Sequence, residues 1–468
     1  MSETIGASLE AILDAVATRK VSAAELVETH LAALARISAL NAVARLEPGF
    51  ARETAAALDA RIAAGEPVGM LAGAPLAHKD LYDRAGWLSE AGSKIAKGRI
   101  APATAHTVAK LDAADALDLG RLNTVEFALG AEGRNIHTGP PRNPWNPDFA
   151  TGGSSSGSGV AVATGAVPAA LGSDTGGSIR LPAAACGLVG LKATAGRIGR
   201  SGVFPLSGTL DTAGALCRTV RDTALMLSAL AGPDPADPQS VDMPYPDPMS
   251  GIEDGYAGLK FGIARSYFFD PVTAPVGDAL EATFAAMAAD GASLAEVAIP
   301  GIELANRLNM IIIGSEAAGQ HRDWLRERAA DYGPETFQRL TAGLLVPANA
   351  YLKALTHRRA LLTAALDGPF AEVDVILTPA WPMEVPEIVP DGDPNFAAKT
   401  LDTGHSSRPF NYLGLPAIVV PVGLDTHGVP VAVQLVGRPY AERTLLRAAR
   451  AVERTLAFNE SHTPPHTA

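Results

Sequence analysis

Residues 152–167 read GGSSSGSGVAVATGAV, a glycine- and serine-rich loop that runs directly into an apolar stretch. Composition alone would make such a loop a flexible linker. The apolar residues 160–167 argue against a linker, because they are typical of a buried helix. The sequence therefore predicts an ordered loop that leads into the interior of the protein.

Two further segments join short apolar runs to polar groups. Residues 172–180 read GSDTGGSIR, and residues 73–80 read GAPLAHKD. The second segment begins as a short apolar run, typical of a buried strand, and reaches Lys79 at its end. Lysine normally lies in solvent. A lysine that ends a buried strand is therefore a candidate for a functional role.

Ser178 and Lys79 are suited to act as a nucleophile and a base. A serine hydroxyl is a poor nucleophile at neutral pH, so it needs an adjacent base to take its proton. Burial would lower the pKa of Lys79 and leave a neutral amine that can accept this proton. The glycines at positions 176 and 177 allow a sharp turn before Ser178, so that backbone N–H groups can point at a developing oxyanion.

The chain resembles the amidase signature family, hydrolases that use a Ser-Ser-Lys triad. Ser154 lies 75 residues after Lys79, and Ser178 lies 24 residues after Ser154, as expected for that family. The resemblance covers residues 8 to about 455. It includes four further segments: LGRLNTVEFA at 119–128, CGLVGLKATAGR at 186–197, FNYLGLPA at 410–417 and VQLVG at 433–437.

The resemblance implies a role for each residue of the triad. Ser178 attacks the carbonyl carbon, and Ser154 relays the proton to Lys79. The peptide bond at this bridging serine is cis in the family. The resemblance also implies an oxyanion hole made of the backbone N–H groups of Thr175, Gly176, Gly177 and Ser178.

Three neighbouring side chains are assigned supporting roles. Ser155, Asp174 and Arg180 are interpreted as a shell around the triad, although ordinary loop capping and a surface charge would also explain them. Arg180 follows the nucleophile by two residues and can pair with a loop carboxylate, which would hold Ser178 in register. His78 suggests a histidine mechanism, but successive side chains of a strand point to opposite faces, so we expect it to pack behind the site.

Substrate-binding residues are harder to identify. Candidate wall residues of the acyl pocket are Val125, Phe127, Ala128 and Trp381. The first three follow a strand-to-loop region that approaches this pocket in the family, and Trp381 follows the turn at Thr378 and Pro379. For each of them, burial in the core is favoured over a place in the wall. In the family, the region that corresponds to residues 232–389 helps to cover the pocket and varies with the substrate. We expect contacts that determine specificity to lie there.

The remaining sequence predicts an α/β protein with a mixed central sheet and helices on both faces. Apolar runs at 373–378 and 417–422 are typical of buried strands. Leu9, Ile12, Leu13 and Val16 have helical spacing and indicate an amphipathic helix rather than a signal peptide. Residues 1–468 are expected to form one domain.

Composition narrows the possible partners to a small-molecule substrate. A formal net charge of −12 argues against nucleic acid, and no apolar run reaches the roughly 18 residues that suggest a membrane span. The histidines lack metal-ligand spacing, and the two cysteines, Cys186 and Cys217, are too few for a disulfide scaffold. We expect a cytoplasmic monomer or homodimer that needs no metal or other cofactor.

Three functions are considered. The first is a stand-alone amide hydrolase with a Ser178 acyl-enzyme. Its substrate is a small amide, ester or carbamate, with aryl compounds among the candidates. The second is the glutaminase subunit of a tRNA-dependent amidotransferase, for which Arg339 would hold glutamine, although Asp402 lies nine residues before Asn411 and thus out of register. The third is a non-catalytic binding protein, against which the complete triad argues.

Overall fold

The computed structural model describes residues 4–390 and 403–468, and its strands form one mixed sheet. Across the sheet the strands, eleven within these residues, follow the order β1-β3-β2-β4-β6-β5-β10-β11-β9-β7-β8. They are β1 (Val43–Leu46), β2 (Pro75–Lys79), β3 (Leu117–Leu122), β4 (Ala169–Asp174), β5 (Val189–Lys192), β6 (Thr212–Cys217), β7 (Lys260–Ala264), β8 (Ser293–Val297), β9 (Val375–Pro379), β10 (Ala417–Leu424) and β11 (Pro430–Gly437).

Helices cover both faces of this sheet, which confirms the predicted fold class. They are α1 (Leu9–Ala17), α2 (Ala23–Arg36), α3 (Pro48–Ala64), α4 (His106–Ala113), α5 (Ser156–Ala163), α6 (Arg180–Ala185), α7 (Val220–Leu230), α8 (Ala274–Ala289), α9 (Ile302–Gln320), α10 (Arg322–Glu327), α11 (Pro334–Leu344), α12 (Ala348–Asp367), α13 (Pro369–Glu372), α14 (Arg408–Tyr412), α15 (Glu442–Leu456) and α16 (Phe458–Ser461). Short 3-10 helices lie at Ser38–Leu40, Glu126–Ala128 and Ala329–Asp331.

The alternation of side chains along the strands creates a separate core on each face. In β2, Leu76 packs in the core that contains residues of α4, α7 and α15. The next residue, Ala77, packs in the opposite core, with residues of α2, α3 and α5. Both residues are fully buried, because the sheet is covered on both sides at this point.

The carboxyl ends of β2 and β4 meet at one edge of the sheet. The two strands pair in parallel, with Ala77 opposite Ala170 and His78 opposite Leu171. Lys79 is the last residue of β2, and Asp174 is the last residue of β4. The loop from β4 to α6 therefore begins beside Lys79, in the position where open α/β sheets commonly bind ligands.

The glycine- and serine-rich loop lies at this edge and continues into α5, the helix predicted from the apolar residues that follow it. Its small residues are required by close packing, since a Cβ at Gly157 would lie 2.4 Å from the Ala42 carbonyl oxygen and 2.5 Å from the Asn123 nitrogen. The predicted N-terminal helix is α1, which buries Leu9, Ile12 and Val16. No helix in residues 4–390 or 403–468 has the length and apolar character to cross a membrane.

Candidate active site

Strand β2 carries Lys79 into contact with Ser154 of the glycine-rich loop. Lys79 Nζ lies 2.6 Å from Ser154 Oγ and 2.9 Å from Ser173 Oγ, and the lysine is fully buried. The peptide bond between Gly153 and Ser154 is cis, as the family resemblance implies. Ser173 was not predicted as a site residue, although it lies in segment 172–180.

Burial lowers the pKa of Lys79 to about 7. The carboxylates of Asp211 and Asp174 act in the opposite direction, because they favour the charged ammonium form. A lysine with this pKa is a neutral amine in a substantial fraction of molecules near pH 7. It can therefore accept a proton from the hydroxyl group of Ser154.

Ser178 lies in the loop between β4 and α6 and lines a cavity of about 240 Å³. Its backbone carbonyl accepts a hydrogen bond of 3.3 Å from the N–H group of Ser155. Ser155 Oγ also accepts a bond of 3.3 Å from the N–H group of Ser173. Ser155 thus joins the two serine-bearing loops.

The backbone before Ser178 takes a conformation that requires glycine. Gly177 has a φ of +125°, and a Cβ there would lie 2.3 Å from Ser407 Oγ. Among the described residues, no backbone or side-chain acceptor pairs with the N–H groups of Gly176 and Ser178, and both residues line the cavity. These two N–H groups are available for an oxyanion.

The predicted oxyanion hole differs from the structure at Gly177. Its N–H group donates a 2.7 Å hydrogen bond to Asp174 Oδ1, because the loop folds back over that carboxylate. The remaining predicted member, Thr175, lines the cavity, and its hydroxyl donates to Asp211 Oδ1 at 2.5 Å. Asp211 Oδ2 accepts from the N–H groups of Leu206 and Ser207.

Asp174 and Arg180 form a buried ion pair beneath this loop. Arg180 Nε lies 3.0 Å from Asp174 Oδ2, and Arg180 Nη2 lies 3.0 Å from Asp174 Oδ1. Burial alone would raise the pKa of Asp174, but the guanidinium of Arg180 and hydrogen bonds hold it well below the usual range. Asp174 is therefore an anion that anchors both Gly177 and Arg180. The alternative of a surface charge at Arg180 is excluded by its burial.

Residues from the C-terminal part of the chain complete the support for Arg180. Its guanidinium donates to Asn411 Oδ1 at 2.5 Å, to Gln434 Oε1 at 2.7 Å and to the Ser407 carbonyl at 3.1 Å. Ser407 Oγ in turn donates to the Gly176 carbonyl at 2.7 Å. Segments 410–417 and 433–437 were noticed in the sequence for their resemblance, but this role of Asn411 and Gln434 was not predicted.

His78 lies away from Lys79 on the other side of the strand. It is buried, and its Nε2 is 4.0 Å from Asp118 Oδ1. Burial lowers the pKa of His78 to about 4, only partly opposed by Asp118. His78 is thus a neutral core side chain near pH 7, and this location agrees with the expectation that it packs behind the site.

Of the four candidate wall residues, only Ala128 lines the cavity at Ser178. Val125, Phe127 and Trp381 are each less than 5% exposed. Phe127 packs against other aromatic rings, and Trp381 packs in a separate apolar cluster with Phe149. The lining consists of Ala128, Leu129, Gly130, Ala131, Glu132, Thr175, Gly176, Ser178, Leu206, Met310, Ile313, Arg339 and Arg408.

The part of the chain that the structure describes contains no group of three or more His, Cys, Asp or Glu side chains that could hold a metal ion. Cys186 and Cys217 are both buried thiols, and burial raises the pKa of each. Neither cysteine is activated for nucleophilic attack.

Comparison with known protein families gives one match over most of the chain. The family described as Amidase matches residues 25–446. The chain is similar to the A subunit of the glutamyl-tRNA(Gln) amidotransferase of Neisseria meningitidis serogroup A, with 36% identity over 93% of this chain and 95% of that protein. It is also similar to the corresponding subunit of Azotobacter vinelandii, with 37% identity over 97% of this chain and 98% of that protein.

Solved structures show the same architecture. One belongs to a study of a vestigial protein complex that reveals the evolutionary origins of an s-triazine catabolic enzyme. It superposes with a TM-score of 0.90 at 34% identity, and the match covers 99% of this chain and 100% of that one. A second is a bacterial aryl acylamidase of the amidase signature enzymes, with a TM-score of 0.89 at 29% identity over 97% of each chain.

Proposed function

This chain belongs to the amidase signature family and is an amide C–N hydrolase; from that premise we propose that it cleaves a small amide through an acyl-enzyme on Ser178. The observation that carries the proposal is the 2.6 Å contact between Ser154 and a buried Lys79 whose pKa is about 7. A single chain thus holds a base, a bridging hydroxyl and a nucleophile at the edge of a cavity.

In the acylation step, Ser178 Oγ attacks the carbonyl carbon of the substrate. Its proton passes to Ser154 Oγ, whose own proton passes to Lys79 Nζ. The negative charge that develops on the carbonyl oxygen is stabilised by the N–H groups of Gly176 and Ser178, with Thr175 beside them. Loss of one such donor typically costs about 2.7–4 kcal/mol of transition-state stabilisation.

Collapse of this intermediate expels the amine, which takes the proton back from Lys79 through Ser154. Water then attacks the ester on Ser178 and gives up its proton along the same path. The products are a carboxylic acid, an amine and the free enzyme. Esters and carbamates pass through a comparable tetrahedral oxyanion, so the same groups can cleave them.

The cavity favours a substrate with an apolar part. Leu129, Leu206, Met310 and Ile313 contribute apolar side chains to its wall beside Ser178. Met310 and Ile313 belong to α9, within region 232–389, which we propose as the variable covering region. A volume of about 240 Å³ suits a small acyl or aryl group rather than a polymer.

A glutaminase subunit is the second candidate, and the names of the curated relatives favour it more strongly than they favour a stand-alone hydrolase. Arg339 lines the cavity and could hold the carboxylate of glutamine. The acid considered for the amino group, Asp402, lies outside the described residues. Under this proposal the chain would release ammonia for a partner rather than act alone.

Hydrolysis of a matched panel by the purified chain separates the two candidates. The panel contains an aliphatic amide, a 4-nitroanilide, an aryl ester, an aryl carbamate and glutamine, each also tested with Ser178→Ala. Cleavage of the anilide or carbamate that requires Ser178 supports the stand-alone hydrolase. Activity restricted to glutamine supports the glutaminase, and wild-type protein that neither turns over nor labels with a fluorophosphonate contradicts both.

A further inference from the structure

The cavity at Ser178 contains opposite charges that the proposed chemistry does not use. Glu132, Arg339 and Arg408 are the ionisable side chains of its described lining. Glu132 follows the 3-10 turn at Glu126–Ala128, and Arg339 lies on α11, so two distant parts of the chain bring them together. Charges on the wall of a substrate cavity bear directly on which substrates can enter.

Arg339 is occupied by groups of this chain. Its Nη2 lies 2.7 Å from Glu132 Oε1, and its Nη1 donates to the Leu129 carbonyl at 2.7 Å. The side chain of Glu132 is only 9% exposed, whereas that of Arg339 is 33% exposed. The carboxylate of Glu132 raises the pKa of Arg339 and so stabilises the charged guanidinium.

An arginine on a cavity wall normally attracts a carboxylate, because its planar guanidinium matches that group. Here the carboxylate comes from the protein. A substrate carboxylate that approached Arg339 would meet the negative charge of Glu132, and like charges in a partly desolvated site repel strongly. A neutral amide meets no such repulsion.

We infer that Glu132 determines specificity by occupying Arg339, and that it restricts the cavity to amides without a negative charge near the scissile bond. The inference rests on the proposed amidase function and gives that function a substrate class. It assigns glutamine, whose carboxylate would need Arg339, to the disfavoured substrates.

Arg408 is the other cation of the cavity and is engaged differently. Its Nη1 lies 3.3 Å from Asn306 Oδ1. Its aliphatic part packs against Gly176, where an added Cβ would lie 3.2 Å from Arg408 Cγ. Arg408 therefore lies against the oxyanion loop. Binding of a substrate carboxylate by Arg408 would let the wild-type protein hydrolyse anionic amides as well as neutral ones, and this outcome would overturn the inference.

The experiment compares two substrates that differ in charge alone: the mono-4-nitroanilide of glutaric acid and the matching 4-nitroanilide of glutaramic acid. Release of nitroaniline gives kcat/KM for each. Wild-type protein should prefer the neutral compound. Glu132→Gln keeps the size and one acceptor for Arg339, and it should raise the anionic-to-neutral ratio of kcat/KM by about tenfold or more.

Glu281→Gln is the matched control. Glu281 Oε1 lies 2.6 Å from Arg265 Nη1, so it also belongs to a Glu–Arg pair, but it does not line the cavity and is not among the groups that act on the pKa of Arg339. This variant should leave the ratio within about twofold, since its charge is removed outside the site. An unchanged ratio in Glu132→Gln, or an equal change in Glu281→Gln, would overturn the inference.

A binding measurement keeps the test independent of turnover. Glutarate and glutaramide are compared as protectants of Ser178 against a neutral fluorophosphonate. Glutarate should protect Glu132→Gln better than wild type, and glutaramide should protect both alike. If both proteins are labelled but glutarate protects them equally, the role of Glu132 is contradicted while the proposed function stands. Absence of labelling in the wild type contradicts the proposed function and, with it, the inference.

Discussion

Lys79 can act as a base only if its amine is neutral at the working pH, and its surroundings meet that condition. Burial lowers its pKa to about 7, and Asp211 and Asp174 keep it from falling further. Asp211 also accepts the hydroxyl of Thr175 and the N–H groups of Leu206 and Ser207. One carboxylate thereby supports the oxyanion loop, the cavity wall and the proton affinity of the base.

The rate should rise with pH as Lys79 deprotonates. We expect kcat/KM for a neutral anilide to increase through about pH 7 and then level off, because only the neutral amine accepts a proton. Asp211→Asn removes an anion that stabilises the ammonium form, so the pKa of Lys79 falls and the rising limb should move to lower pH. The measurement is the pH profile of kcat/KM for both proteins.

The control for this profile is Asp237→Asn. Asp237 pairs with Arg200 at 2.7 Å and is not among the groups that act on the pKa of Lys79. Its variant should keep the wild-type limb. A limb that moves upward in Asp211→Asn, or moves equally in both variants, would contradict the assignment of the limb to Lys79.

Lys79 and Ser154 should behave as one unit. Each of Lys79→Ala and Ser154→Ala interrupts the same proton path, so we expect each to lower kcat by roughly 10³-fold or more and the double variant to lose little beyond that. Single-turnover rates of the four proteins measure this coupling. Losses that multiply in the double variant would show that the two side chains act separately.

At the level of single elements, the sequence predicted the parts that depend on local pattern. The apolar run before Lys79 forms β2, and the continuation of the glycine-rich loop forms α5. The N–H group of Gly177, which the resemblance assigns to the oxyanion hole, donates instead to Asp174, because its direction depends on how the loop folds over that carboxylate. Phe127 and Trp381 lie in apolar clusters, the location favoured for both, although an aromatic residue near a site fits a core and a cavity wall equally well in the sequence.

The Asp174–Arg180 pair should be essential to the stability of the loop and α6. Asp174→Asn leaves the fully buried guanidinium of Arg180 without its counter-ion and should lower the free energy of unfolding by about 3–5 kcal/mol. Urea unfolding followed by circular dichroism measures this loss.

An exposed ion pair supplies the comparison for that measurement. Glu303 and Arg307 are 2.5 Å apart on α9, with side chains 64% and 71% exposed. Glu303→Gln should change the free energy of unfolding by no more than about 0.5 kcal/mol, because exposed pairs contribute little. Equal effects of the two substitutions would mean that Asp174 does not anchor the site.

Across the whole molecule, the site depends on contacts between segments that are far apart in the chain. Asn411 and Gln434 reach Arg180 across 231 and 254 residues, respectively. The pairing of Glu132 with Arg339 spans 207 residues. Local periodicity carries no information on such contacts, so the sequence could predict the triad through its resemblance but not the side chains that hold it or the charges in its cavity.

The arrangement of the whole site leads to one central claim: Ser178 becomes acylated. The most direct test is the intact mass of the protein during reaction with an aryl N,N-dimethylcarbamate, whose carbamoyl-enzyme hydrolyses slowly. We predict a single added dimethylcarbamoyl group, located on Ser178 by peptide mapping and absent from Ser178→Ala. A carbamoyl group on another residue, or the same mass gain in Ser178→Ala, would contradict the account.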